Sequence, residues 1–311
     1  MSLESTITKV LRSEQSSHLD GYEISFDRIL VATDFSEPAN QALKAAIIVG
    51  RLFGSKLFLV HAASPVFYDR NAGPIPLEIL DANLDAAKEE INQLISCEPG
   101  LREFEPKVTV AYSNAVDLIA QVSREEKIEL IVAGSHGANC LERLALGSVA
   151  EAILHRARCP VMIVGPNCRT ADHLFHSLLF ATDLTTTGRR GALFASGLAK
   201  RFHADLTLLH VMNEKPAAPH VEIEVIEARI KQQLHELLPP DVSEQCKAKV
   251  RLEQDRHIAK TIVTVADIER VTLMVVGLGN RRLADHIPRS ILSYLIREAK
   301  CPVLGVRGHL A

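Results

Sequence analysis

Short, nearly continuous apolar runs alternate along the whole chain with segments whose apolar residues recur at helical spacing. Ile29 to Thr33 is the first such run and predicts a strand. Glu37 to Phe53 then places Ala42, Ala45, Ala46, Val49 and Phe53 on one helical face, and Gly54 follows as the terminator. The same reading predicts strands at Leu57–His61, Lys107–Ala111, Leu130–Ala133 and Val161–Val164, and helices at Leu77–Ile95, Ala115–Glu126 and Ser148–Arg156. Apolar residues that run on without alternating belong to strands buried on both faces, as in a parallel sheet covered by helices on each side.

The pattern occurs twice. DRILVATDFSEP (Asp27 to Pro38) returns as HSLLFATDLTTTG (His176 to Gly188), and KLFLVHA (Lys56 to Ala62) returns as LTLLHV (Leu206 to Val211). Asp34 and Asp183 stand 149 residues apart, as do His61 and His210. ELIVAGSHG matches TLMVVGLG, and ILHRARCPVMIV matches YLIREAKCPVLGV. The fold class is therefore α/β, with two tandem doubly wound domains of five parallel strands each. Residues 1–25 read as a flexible arm, 26–166 as the first domain, 167–173 as a linker and 174–307 as the second domain, starting with a strand at Ser177–Ala181. The strands PVMIV and PVLGV that end the copies would be exposed apolar edges if left unpaired. A tandem chain can pair them internally, and a homodimer of whole chains is a further option.

A length of 311 residues supports two domains of ordinary size, and a net charge of -3 argues against a nucleic-acid partner held through its phosphates. Six cysteines without a CxxC pair read as reduced thiols, with metal ligation as the alternative. The first residues are polar and lack the basic start and apolar core of a signal peptide, and no apolar stretch reaches membrane-spanning length, so no membrane partner is expected.

GSHGANCLERLALGS, Gly134 to Ser148, follows the fourth strand. In this topology ligands gather at the carboxyl ends of strands, where a helix N-terminus offers free amides to anions. Gly134 and Gly137 would let the chain approach a phosphate or take positive φ. The competing explanation is helix stability alone: Ser148 and Glu151 are spaced as a capping box. Neither a Walker A loop nor a dinucleotide fingerprint is present. Asp34 follows the first strand, and with Ser36 placed to cap the helix, its carboxylate would be left for a ligand hydroxyl. His61 reads as a strand-end residue bonded to backbone, and His136 as either facing a ligand or exposed.

Asp34, the histidine of the second strand and Gly134-x2-Gly137-x9-Gly147-Ser148 together resemble the universal stress protein family, and the similarity covers nearly the whole chain as two copies. The resemblance implies an adenine nucleotide alpha hydrolase-like fold, a cytoplasmic location, frequent dimerisation and an adenine nucleotide ligand: ATP, or ADP or AMP, with Mg as an accompaniment of the nucleotide. It places Asp34 against the ribose, the Ala62 backbone near adenine, and Ala32 and Thr33 on the pocket wall. Gly134, Ser135, Gly137, Gly147, Ser148 and Val149 would meet the phosphates. The family has valine where this chain has Ala62.

The second copy departs from this motif. Gly277 and Gly279 lie one residue closer together, and Arg289-Ser290 replaces the final Gly-Ser. Asp183 and Val211 remain as counterparts of Asp34 and Ala62. Weakened or absent nucleotide binding is expected there, with Arg289 either filling the pocket or supplying charge to a phosphate of its own or of the other half.

Phosphoryl transfer needs a metal, a cation on the transferred group and a residue that orients the nucleophile. The first-half loop has one cation, Arg143, and one carboxylate, Glu142, so the chain reads as a nucleotide-binding stress-response regulator rather than an enzyme. In that reading, nucleotide orders the Ala138–Leu146 loop for an unidentified protein partner. The alternatives are a slow ATP hydrolase or transferase and a nucleotide-independent scaffold or dimerisation module.

Overall fold

The computed structural model describes residues 24–63, 77–137, 146–169, 173–213, 220–240, 242, 246–279 and 288–307. In the first half the elements are β1 (Arg28–Ala32), α1 (Glu37–Phe53), β2 (Lys56–Ala63), α2 (Leu77–Cys97), the single turn α3 (Pro99–Arg102), β3 (Lys107–Tyr112), α4 (Ala115–Glu125), β4 (Leu130–Gly134), α5 (Ser148–Arg156) and β5 (Val161–Val164). The second half repeats them as β6 (Ser177–Ala181), α6 (Thr186–Phe202), β7 (Asp205–Met212), α7 (His220–Glu236), β8 (Ala248–Gln254), α8 (Ile258–Ile268), β9 (Leu273–Leu278), α9 (Arg289–Glu298) and β10 (Val303–Arg307). Residues 1–23 of the expected arm lie outside the described residues. Ile24, assigned to that arm from sequence, is instead buried in the core.

Local chemistry sets the helix ends. Ser36 caps α1 by accepting from the Ala39 amide at 3.4 Å, Pro38 occupies the first turn, and Gly54 closes the helix at φ 69°. The position equivalent to Gly54 is His203, which takes the same left-handed turn at φ 50°. A side chain in that region costs roughly 1–2 kcal/mol, so the repeated backbone overrides the residue's preference.

All ten strands join one sheet in the order β3-β2-β1-β4-β5-β10-β9-β6-β7-β8. Every pairing within a half is parallel, and the two halves meet through a single antiparallel contact, Val303 opposite Ile163, Leu304 opposite Met162 and Gly305 opposite Val161. The two apolar edges thus satisfy each other within one chain. Both cores cross this seam. On one face Ala42, Val49, Met162 and Val164 belong to the same cluster as Phe180, Phe194, Leu304 and Val306; on the other, Ile153 and Leu154 join Leu292, Leu295 and Ile296.

Phenylalanines reinforce the seam on the first of these faces. Phe26 packs on Phe53 with ring centroids 4.8 Å apart, and their counterparts 149 residues later, Phe175 and Phe202, stack at 4.5 Å. The two pairs meet through Phe53, 5.4 Å from Phe202 and 5.9 Å from Phe175, with the Arg201 guanidinium 4.4 Å above the Phe53 ring. The segment after β5 also packs down: Cys168 is buried, the Arg169 amide donates to the Lys300 carbonyl at 2.8 Å, and Asn167 Nδ2 donates to Arg297 O at 2.9 Å.

Candidate functional site

The turn after β1 is built by short side-chain bonds that recur after β6. Thr33 Oγ1 accepts from the Phe35 amide at 3.1 Å, and Asp34 Oδ1 accepts from the Ser36 amide at 3.1 Å and from Ser36 Oγ at 2.5 Å. In the second half Thr182 Oγ1 accepts from Leu184 N, and Asp183 Oδ1 accepts from Thr185 N and Oγ1. These bonds hold Phe35 and Leu184 at φ 63°, a conformation unusual for residues with bulky side chains. Ser36 does cap α1, yet it does not release Asp34: one carboxylate oxygen is committed to the turn.

His61 Nδ1 donates to the Thr33 carbonyl at 2.9 Å and His210 Nδ1 to the Thr182 carbonyl at 2.8 Å. A carbonyl only accepts, so each ring keeps its proton on Nδ1. The strand-end reading of these histidines holds in both halves, with the Phe35 ring 4.6 Å from that of His61.

At the end of β4 the Ser135 amide donates to Val164 O at 3.0 Å, and the Ser135 carbonyl accepts from the Gly147 amide at 2.8 Å. The two ends of the glycine stretch are thereby pinned together; residues 138–145 between them, including Arg143 and Glu142, lie outside the described residues. α5 starts at Ser148 with Gly147 as its cap residue and no side-chain cap bond. The capping box raised as the competing explanation for Ser148 and Glu151 does not form. Its first intrahelical bond is Glu151 N to Gly147 O at 2.9 Å, so the amides of Ser148, Val149 and Ala150 precede the helical ladder.

The glycines serve close packing. Gly147 sits at φ -63°, and among the described glycines only Gly54 takes positive φ. A Cβ on Gly134 would meet the Pro38 backbone at 2.7 Å, which lets β4 run directly under the start of α1. One on Gly137 would collide with Asp34 Oδ2. Gly134 and Gly137 therefore bring the two loops of the cleft together.

The result is an open cleft of about 450 Å³. Ala32, Thr33 and Asp34 after β1, Ala62 on β2, and Gly134, Gly137, Gly147, Ser148 and Val149 between β4 and the start of α5 all line it. Of the residues expected at the site only Ser135 does not reach the cleft; it is buried, with its amide and carbonyl engaged and its Oγ 2.9 Å from His136 Nδ1. Sequence reasoning missed Val60, Ala115 and Ile119, which form the apolar wall, and left His136 open, which the structure puts on the lining. Small and apolar residues on α4 carry no signal apart from their helical periodicity.

The corresponding cleft of the second half measures about 190 Å³ and is lined by Asp183, Val211 and Gly277, with Thr182 and Gly188 beside them. Three expected members are elsewhere. The Gly279 carbonyl accepts from Arg307 Nη1 at 3.1 Å, and Ser290 does not line the cleft. Arg289 neither fills the cleft nor reaches a ligand position there: its side chain is 75% exposed and its Nη1 lies 3.2 Å from Glu151 Oε1 on the first turn of α5.

The family model described as the universal stress protein family matches residues 25–165 and again 174–307. The chain belongs to the universal stress protein family. A universal stress protein of Mycolicibacterium smegmatis is 25% identical over 59% of this chain, which spans 63% of that relative's length. One from Thermus aquaticus is 30% identical over 45% of this chain and 98% of its own. Among solved structures, a universal stress protein from Archaeoglobus fulgidus superposes with a TM-score of 0.66 at 19% identity, over 92% of this chain and all of that one, which supports the tandem α/β fold. In this universal stress protein no described helix is long and apolar enough to cross a membrane.

Outside the cleft, no disulfide links Cys97, Cys159, Cys168, Cys246 and Cys301; Cys140 lies outside the described residues. Burial pushes the Cys159 and Cys301 thiols up to about 12, far from the thiolate needed for reactivity.

Proposed function

We propose that the first domain binds an adenine nucleotide and that the protein acts as a stress-related regulator rather than a catalyst. The observation that carries this reading is the lining of the 450 Å³ cleft, within the size range of small-molecule sites: it joins apolar residues, the exposed Asp34 carboxylate and the start of α5 with its three unladdered amides.

In this reading the purine enters between Val60, Ala62 and Ile119, Asp34 accepts from a ribose hydroxyl, and the amides of Ser148, Val149 and Ala150 donate to phosphate oxygens, assisted by the positive end of the helix dipole. The family relationship supports a stress-related role. Regulation is favoured over hydrolysis because the described lining has no lysine or arginine to stabilise charge on a transferred phosphoryl group. Mg would arrive with the triphosphate, Asp34 being the one carboxylate on the described lining.

Calorimetry of the full chain with ATP tests the reading, supported by mass spectrometry of small molecules released from fresh protein. One site per chain at micromolar affinity is expected. A dissociation constant in the millimolar range or weaker would remove the basis for nucleotide regulation, and sustained ADP release abolished by Asp34→Ala would make the protein an enzyme.

A further inference from the structure

The second cleft is more than a reduced copy of the first, because the side chains of its apolar slot have grown while Gly188 takes the place of Ala39 beside the carboxylate turn. Val60 is replaced by Leu209, Ala62 by Val211 and Ala115 by Ile258, while Ile119 keeps its character as Ile262. Each larger side chain occupies volume in the apolar slot, and the space falls from about 450 to about 190 Å³.

The anion-binding end is reduced as well. α9 begins after Pro288, whose carbonyl accepts from both the Ile291 amide, at 2.9 Å, and the Leu292 amide, at 3.1 Å. Ile291 N is thus engaged, so two leading amides, those of Arg289 and Ser290, precede the ladder of α9 where three precede that of α5. Arg289 turns out to Glu151. What persists is a carboxylate at the mouth, Asp183, whose Oδ1 is held by Thr185.

We infer that the second domain's cleft is a separate binding site for a small aromatic molecule bearing a single hydrogen-bond donor, and that it does not take nucleotide. An apolar cavity of about 150 Å³ suffices for benzene, so the 190 Å³ between Leu209, Val211, Ile258, Ile262 and Ile291 accommodates a compact aromatic ring system and excludes a purine bearing ribose and phosphates. Asp183 selects for a donor on the ring and repels anions. One chain then reads two chemically different ligands, one per domain. This site stands whether or not the first cleft binds nucleotide.

Indole has the required shape and one N–H, and serves as the probe. Methyl-resolved NMR of the full chain titrated with indole is expected to move the methyls of Val211, Ile258, Ile262 and Ile291, to leave those of Val60, Ile119 and Val149 unmoved, and to be unaffected by saturating ATP. Val211→Phe, which fills the cleft, is expected to weaken indole at least tenfold while the first-domain methyl spectrum stays that of the parent. Shifts confined to the first-domain methyls, displacement by ATP, or no methyl movement up to the solubility limit of indole would each overturn the assignment.

Discussion

Phe53 and Phe202 occupy the same position in the two copies, 149 residues apart in sequence, and meet edge to face with their centroids 5.4 Å apart and their planes at 69°. Each lies at the C-terminal end of its half's first long helix, so the contact ties α1 to α6 where the two halves join. With a ten-stranded sheet and cores shared across the β5–β10 seam, the halves are expected to unfold together.

Phe53→Ala removes a ring that touches Phe26, Phe175, Phe202 and the Arg201 guanidinium. Phe53 is partly rather than fully buried, so a loss of about 2–3 kcal/mol is expected, toward the low end for such truncations. The double-mutant cycle with Phe202→Ala is expected to show coupling of about 0.5–1.5 kcal/mol. Chemical denaturation measures both; strictly additive losses, or two separate transitions in the parent protein, would show that the aromatic contact does not join the domains.

The asymmetry between the clefts gives a second expectation. Gly147→Arg places in the first domain the residue found at the equivalent position of the second. A Cβ there would sit 3.0 Å from His136 Cα and 3.2 Å from Ser135 O, tight enough to displace the bond from Gly147 N that pins the loop ends. ATP affinity is expected to fall at least tenfold, about 1.4 kcal/mol, with a melting temperature only a few degrees lower. The reverse change, Arg289→Gly, is expected to create no second nucleotide site, because Val211 and Ile258 still occupy the slot. Calorimetry showing two equivalent sites in the parent would contradict both halves of this expectation.

The sequence carried the repeat, the strand order's raw material and nearly all of the first cleft, because these rest on contiguous patterns: apolar runs, Ala-Thr-Asp turns and spaced glycines. Ser135 was misplaced because its motif position does not reveal that its amide pairs with Val164 across β5. Arg289 was left open for a related reason: its partner, Glu151, belongs to the other domain, 138 residues earlier. The phenylalanine cluster shows the same limit. Phe53 was visible on an apolar helical face, but only the packing of the halves reveals that it meets its own repeat.

Arg289 and Glu151 form an exposed pair, and such pairs contribute little to stability, about 0–1 kcal/mol. Their effect on the first cleft is of a different kind. Glu151 lies one turn beyond Ser148 on the same side of α5, so an unpaired carboxylate there would repel an anion at the helix start. Arg289→Ala is expected to weaken ATP binding two- to fivefold with little change in melting temperature, and Glu151→Gln in that background to restore it. Equal weakening by the single and double variants would mean that Arg289 acts on the anion by another route.

Acid stability depends on a site away from either cleft. The Glu269 carboxylate closes α8 and is 10% exposed; it accepts from Thr207 Oγ1 at 2.5 Å and Arg251 Nη1 at 2.9 Å, and lies 3.0 Å from Lys249 Nζ, with Glu253 on the far side of Arg251. Burial alone would raise its pKa, but the bonds from Thr207, Lys249 and Arg251 outweigh it and hold the carboxyl below its ordinary 4.5. A carboxyl lowered in the folded state binds its proton more readily when unfolded, so its stabilising contribution is complete above about pH 4.5 and disappears as the pH falls through the folded value. Urea unfolding between pH 7 and pH 3 is expected to show stability declining below pH 4.5 in the parent. Glu269→Gln is expected to be less stable at pH 7 and to follow a flatter curve in the acid range, since it lacks the titrating group. Parallel curves for the two proteins would mean that other carboxylates set the acid limit.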